Sequence, residues 1–339
     1  MSEEVIKYFG FWPATTNHFA PVGLGVDDSG FISDSTKSLL LEKTYEAEGA
    51  GWKFAVTGDY LCMLHLEEIE AALRVEQEKN ADAHITTLSF GSSRSARFEY
   101  TSSLNALQFL IFCACFTGRG LYTLHDYDEL TVWNTARFQY DLQGNAIKGG
   151  GFPRYPEQQL RRLKLLKIEN DPSGFKIDPR LFKDVSTYWS IVYDAGLVKH
   201  AAVGSKLISE HRNEDTRACV GLTWFEIEKW LTPFADELGI DVYKRKKNGD
   251  IIKDQTNGTP MYKIISDIVK SFPEGTWISS EQDDLLKVAW LRNQVAHKGY
   301  TPSIQESAFA IDVFIKMFNF RTGLALRADT NRTPTSSVS

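Results

Sequence analysis

The spacing of apolar residues changes partway along the chain. Over residues 1–100 they come in short runs rich in aromatic and β-branched side chains, at 51–57, 84–89 and 96–101, separated by Gly, Asp and Ser. Such runs predict strands. A helix over 66–79 interrupts them, with glutamates at its start and Ala and Leu at helical spacing. Residues 102–116 predict a second, mostly buried helix stopped by Thr117-Gly118, and 121–140 return to strand-like alternation. The stretch 144–156, dominated by glycine and proline with little apolar content, reads as a loop joining two domains.

Beyond that loop the period becomes helical. Residues 181–207, 215–238, 261–272, 280–297 and 303–326 each place apolar side chains three and four apart, with Asn, Gly or Pro in the breaks. The expected fold class is therefore α+β. A mixed α/β domain covers 1–150, an all-α helical bundle covers 175–327, and 328–339 form a polar tail with nothing to bury.

Composition limits what such a chain does. With 339 residues, 42% of them hydrophobic, it has material for a core in each domain. Its longest apolar run, 107–116, is shorter than the roughly 20 residues of a membrane span. The acidic start Met1-Ser-Glu-Glu is unlike a targeting peptide. A cytoplasmic protein with no membrane partner is the expectation. The four cysteines form no CxxC pair and read as reduced core residues, and no residue cluster has metal-ligand spacing. A net charge of −6 excludes a protein that coats nucleic acid over its whole surface, so any such contact is local.

Candidate chemistry gathers on the helix over 280–297. Projected at helical period, Leu285, Val288, Ala289, Val295 and Ala296 form an apolar stripe with Arg292 in its middle. A guanidinium cannot shed its charge, so that placement is costly unless it meets a carboxylate, a partner chain or a phosphate. Asn293 and His297 stand one turn apart beside it, His297 at the helix end before Lys298-Gly299. Ser303-Ile-Gln-Glu306 then has the pattern of a capping box, opening an apolar helix through Phe309, Val313, Phe314 and Met317. Upstream, Val220, Trp224, Ile227 and Leu231 form another stripe, with Glu228 on its edge and Glu226 outside it. The run Lys244-Arg245-Lys246-Lys247, before Asn248-Gly249, is a basic loop that reads as a solvated turn or as a grip on an RNA backbone.

Arg292-Asn-Gln-Val-Ala-His297 at a helix end, with the capped helix after it and the Trp224-Phe-Glu-Ile-Glu228 helix before it, resembles the signature of HEPN ribonucleases. Arg119 and His125 meet a related spacing, but among glycines and a predicted strand, where the helix that the motif requires is absent. Residues 104–120 are loosely similar to the region that precedes the HEPN domain in abortive-infection, Apea-like phage-defence proteins.

The resemblance implies a metal-independent RNA endonuclease that needs no cofactor and serves prokaryotic defence or toxin-like growth arrest. Its substrate would be single-stranded RNA, cut by attack of a 2′-hydroxyl on the neighbouring phosphorus. His297 would be the acid/base, Arg292 the phosphate clamp, and Asn293 a group that orients the phosphate or the imidazole. Glu228, as a partner for Arg292, and Tyr300 are supporting candidates. The reaction moves two protons and the chain offers one such histidine, so a homodimer through the bundle is implied. The domain over 1–150 would sense a trigger ligand or a regulatory protein. One HEPN subgroup ends its motif His-x-Tyr and is regulated through that tyrosine; here Tyr300 lies one residue farther on. The same helices also fit a catalytically inactive HEPN-like binding or scaffold module, or a partner-regulated sensor.

Overall fold

The computed structural model describes residues 5–11, 42–57, 62–80, 94–114, 129–130, 135–150, 180–256, 261–271 and 281–327. The predicted strand at 84–89, the Arg119 and His125 pair, and the polar tail lie outside them. The chain divides into two compact units, Met1–Ser205 and Lys206–Ser339, and mixes helices with antiparallel sheet, an α+β protein.

The first unit is organised by a six-stranded antiparallel sheet in the order β2-β3-β4-β1-β5-β6. Its strands are β1 Ile6–Phe11, β2 Lys43–Gly49, β3 Trp52–Thr57, β4 Cys62–Leu66, β5 Ala136–Tyr140 and β6 Ala146–Gly150. Leu64 of β4 pairs with Phe54 on one side and Phe9 on the other, and Ile6 pairs with Tyr140. Consecutive residues of β1 and β3 are buried, as in strands covered on both faces, which is why their sequences run apolar instead of alternating. Edge strand β2 does alternate, and its exposed Glu46 and Glu48 suit an edge. Helices α1 (Glu67–Asn80), α2 (Arg94–Ala114) and α3 (Arg180–Asp194) belong to this unit, α2 packing on β1 and α3 on β2. The Tyr45 and Ser186 hydroxyls, 2.7 Å apart, join β2 to α3.

Three expectations are corrected here. Residues 96–101 are not a strand but the start of α2, because Tyr100, Leu104 and Leu107 repeat at helical spacing and are buried. Tyr100 stacks on Phe9 with ring centroids 4.0 Å apart, anchoring that turn to the sheet. The glycine-rich stretch opening at Gly144 is not all loop. Asp141 accepts from the Asn145 backbone N–H at 2.7 Å, Gly144 takes φ +88°, and the hairpin so closed sends β6 back along β5. Glycines in β6 carry no side chains to alternate, which hid the strand. Residues 181–207 are not one helix, since the chain leaves α3 at Gly196, φ +67°, and starts α4 (Val198–Arg212).

The boundary between the units falls inside α4. The second unit continues with α5 (Thr216–Glu237), strands β7 (Tyr243–Arg245) and β8 (Ile251–Thr256), then α6 (Met261–Lys270), α7 (Gln282–Lys298) and α8 (Ile304–Thr322). Helix α5 is central, packing against α6, α7 and α8. Helix α8 is buried over more than half of its circumference, through Ser307, Ala308, Ala310, Ile311, Val313 and Phe314. Its apolar run thus exceeds one amphipathic stripe. The His211 ring, near the end of α4, hydrogen-bonds the buried Ser307 hydroxyl of α8. No helix among the described residues is long and apolar enough to cross a membrane.

Candidate functional site

Helix α7 is held by Leu285, Val288 and Leu291, all fully buried. Each such side chain contributes about 1.5–3 kcal/mol by leaving water. This face differs from the predicted stripe. Leu291, not Arg292, enters the core, Ala289 and Val295 are half-buried, and Ala296 is exposed. Residues three apart drift around a helix of 3.6 residues per turn, so the buried line slants across α7 and leaves Arg292 at its border. Arg292 is half-buried, and its Nη1 donates to Asn293 Oδ1 at 3.1 Å. That bond draws the guanidinium toward the side of the helix that carries Asn293 and, one turn on, His297, both exposed.

The helix end beneath His297 is firmly built. Gly299 adopts φ +66° at the C-cap, and its N–H and that of Tyr300 both reach Gln294 O. His297 and Lys298 occupy the last turn, at the negative end of the helix dipole. The connection to α8 is pinned from α5. Thr216 Oγ1 donates to Pro302 O at 2.7 Å, and Arg217 Nη2 donates to Gly299 O at 2.7 Å and to Thr301 Oγ1 at 2.6 Å, with Arg217 Nε on the same hydroxyl at 3.0 Å. Helix α8 opens with both halves of the capping box, Ser303 Oγ accepting from the Glu306 N–H at 3.2 Å and Glu306 Oε2 from the Ser303 N–H at 2.7 Å.

Tyr300, 38% exposed, donates its hydroxyl to both Glu306 carboxylate oxygens, at 2.9 and 3.1 Å. Burial raises the Glu306 pKa, but the hydrogen bonds from Ser303 and Tyr300 outweigh it and hold this carboxyl below its ordinary value. The Glu306 carboxylate in turn raises the Tyr300 phenol above its own. The Tyr300 ring lies 6.5 Å from that of Trp290, which is 52% exposed on the outer side of α7.

The remaining candidates lie apart from this cluster. Glu228 is half-buried on α5 and makes no ion pair with Arg292. The carboxylate that α5 buries is Glu226, 2% exposed, expected to lie outside the stripe. Its Oε1 sits 3.6 Å from Lys229 Nζ; burial lowers the Arg321 pKa, and the Glu226 carboxylate opposes that shift. Lys244, Lys246 and Lys247 are exposed, with Lys244 and Arg245 in β7 and the two others in the turn to β8, so the basic run is a hairpin tip and not an irregular loop. Lys246 and Asp250 close that turn by backbone hydrogen bonds, and Gly249 takes φ +89°. Cys62, Cys113 and Cys219 are buried and form no disulfide. Among the described residues no three His, Cys, Asp or Glu side chains converge as a metal cluster would.

Two residues of the cluster escaped the sequence reading. Arg217 carried a signal, a cation in the first turn of a helix, where the dipole disfavours it. Trp290 carried a weaker one, a large aromatic off the apolar stripe of its helix. Comparison of the chain with protein-family models, with curated proteins and with solved structures finds no match.

Proposed function

We propose that this chain is a metal-independent RNA endonuclease of the HEPN type, acting on single-stranded RNA in prokaryotic defence or growth arrest. The observation that carries the reading is the grouping of Arg292, Asn293 and His297 at the exposed end of α7, with Arg292 already tied to Asn293. In this mechanism an RNA 2′-hydroxyl attacks the adjacent phosphorus as a histidine takes its proton. The bond from phosphorus to the 5′-oxygen breaks, and that oxygen receives a proton from a second histidine, leaving a 2′,3′-cyclic phosphate and a 5′-hydroxyl. Arg292 neutralises charge on the non-bridging oxygens, and Asn293 holds the guanidinium in place.

His297 supplies one proton-transfer group, and His297 of the partner subunit supplies the other. The outer side of α7 suits such pairing, because Ala289, Trp290 and Ala296 alternate there with Asn293 and His297 and leave room for a second helix. The first unit is then the place where a trigger ligand or regulatory protein acts. The test is cleavage of mixed single-stranded RNA by the purified chain in EDTA. His297→Ala lowers the rate by at least about 100-fold, the usual span of an acid/base group. Arg292→Ala does likewise, with partial recovery in Arg292→Lys. Absence of cleavage by the wild type together with intact dimerisation would favour the scaffold module.

A further inference from the structure

The side chain of Arg217 is fixed but its charge is not neutralised. Its Nε and Nη2 are spent on a carbonyl and a hydroxyl, Gly299 O and Thr301 Oγ1, both neutral acceptors. Among the described residues it makes no ion pair. The nearest acidic residue in sequence, Asp215, uses Oδ1 to cap α5 through the Ala218 N–H at 3.0 Å. Hydrogen bonds of this kind immobilise a guanidinium while leaving Nη1 to solvent. The residue is exposed and bonded to the chain two positions beyond His297. The Gly299 carbonyl that it binds caps the same helix end that carries His297, so the guanidinium flanks that end.

We propose that Arg217 is a second phosphate anchor of the site, binding the phosphate next to the scissile one in a single-stranded RNA. This rests on the endonuclease reading and adds a requirement to it. A productive substrate carries a phosphate beyond the one that is cut, so a dinucleoside monophosphate is a poor substrate and a longer strand a good one. A purely structural Arg217 would be built the same way toward the loop but would contribute nothing to the dependence of RNA affinity on salt.

The experiment measures binding of the full chain to a fluorescein-labelled 2′-O-methyl single-stranded RNA, which lacks the attacking hydroxyl, across a salt series. Each phosphate neutralised contributes about 0.7 to the slope of log affinity against log salt for a single strand. Arg217→Gln, whose amide nitrogen takes the place of Nε and can still donate to Thr301 Oγ1, is expected to lower that slope by about 0.7 and to weaken low-salt affinity about tenfold. Arg217→Lys is expected to keep the slope. Equal slopes in wild type and Arg217→Gln would overturn the proposal, even if His297→Ala abolishes cleavage and the endonuclease reading stands. Failure of the wild type to bind this RNA would overturn both.

Discussion

Leu291 and Arg292 are neighbours on α7, and the core accepts the first while the second stays at the border, bonded to Asn293. The same division of labour appears at Glu306, which caps α8 and receives the Tyr300 hydroxyl. Because this carboxyl is held below its ordinary value of 4.5, the folded state favours its ionised form. Its stabilisation is fully present above that value and is lost as pH falls through the lowered one. Denaturant midpoints followed from pH 7 toward pH 3 are therefore expected to fall more steeply in wild type than in Glu306→Gln, and parallel curves would contradict this. On α5 the stripe was legible but not which glutamate it buries. Glu226 sits beside Ile227 and is covered by tertiary packing that the helical period does not report.

At the scale of elements, local chemistry was the most readable part. The Ser303 to Glu306 capping box, the glycine end of α7 and the α8 stripe all formed, since each depends on residues within one or two turns. Ser303→Ala is expected to cost about 1 kcal/mol, measured by chemical denaturation. Elements fixed by distant partners were not readable. The helix α2 turn at Tyr100 depends on Phe9, and β6 depends on its ladder with β5. The basic run escaped as a hairpin because the strands flanking its Asn248-Gly249 turn are short and polar. The outer side of α7 bears the dimer expectation. Trp290 is exposed, so if α7 pairs two chains as proposed, Trp290→Glu is expected to keep the circular dichroism spectrum while shifting sedimentation toward a monomer and lowering cleavage with it. A variant that stays dimeric would place the partner elsewhere.

Taken as a whole molecule, the change from short apolar runs to helical period announced a sheet-based part and a helical part, and the α+β class followed from it. Composition located the change in the glycine-rich stretch near residue 150, whereas the compact units meet at Ser205 and Lys206, within α4. Helix α3 has the periodicity of the later helices but packs on β2, a choice made by its Phe182 and Ser186 meeting Tyr45 and invisible to helical period. Both units bury cysteine thiols, and burial pushes the Cys219 thiol up to about 12. Thiol reagents are accordingly expected to label Cys62, Cys113 and Cys219 only as their units open in denaturant, with rapid labelling of the native chain as the contrary result. The most direct measurement of the central claim is the chemistry of the RNA ends released by the full chain in EDTA. Wild type is expected to release 2′,3′-cyclic phosphate and 5′-hydroxyl ends and His297→Ala none; 5′-phosphate ends, or equal cleavage by His297→Ala, would contradict the endonuclease reading.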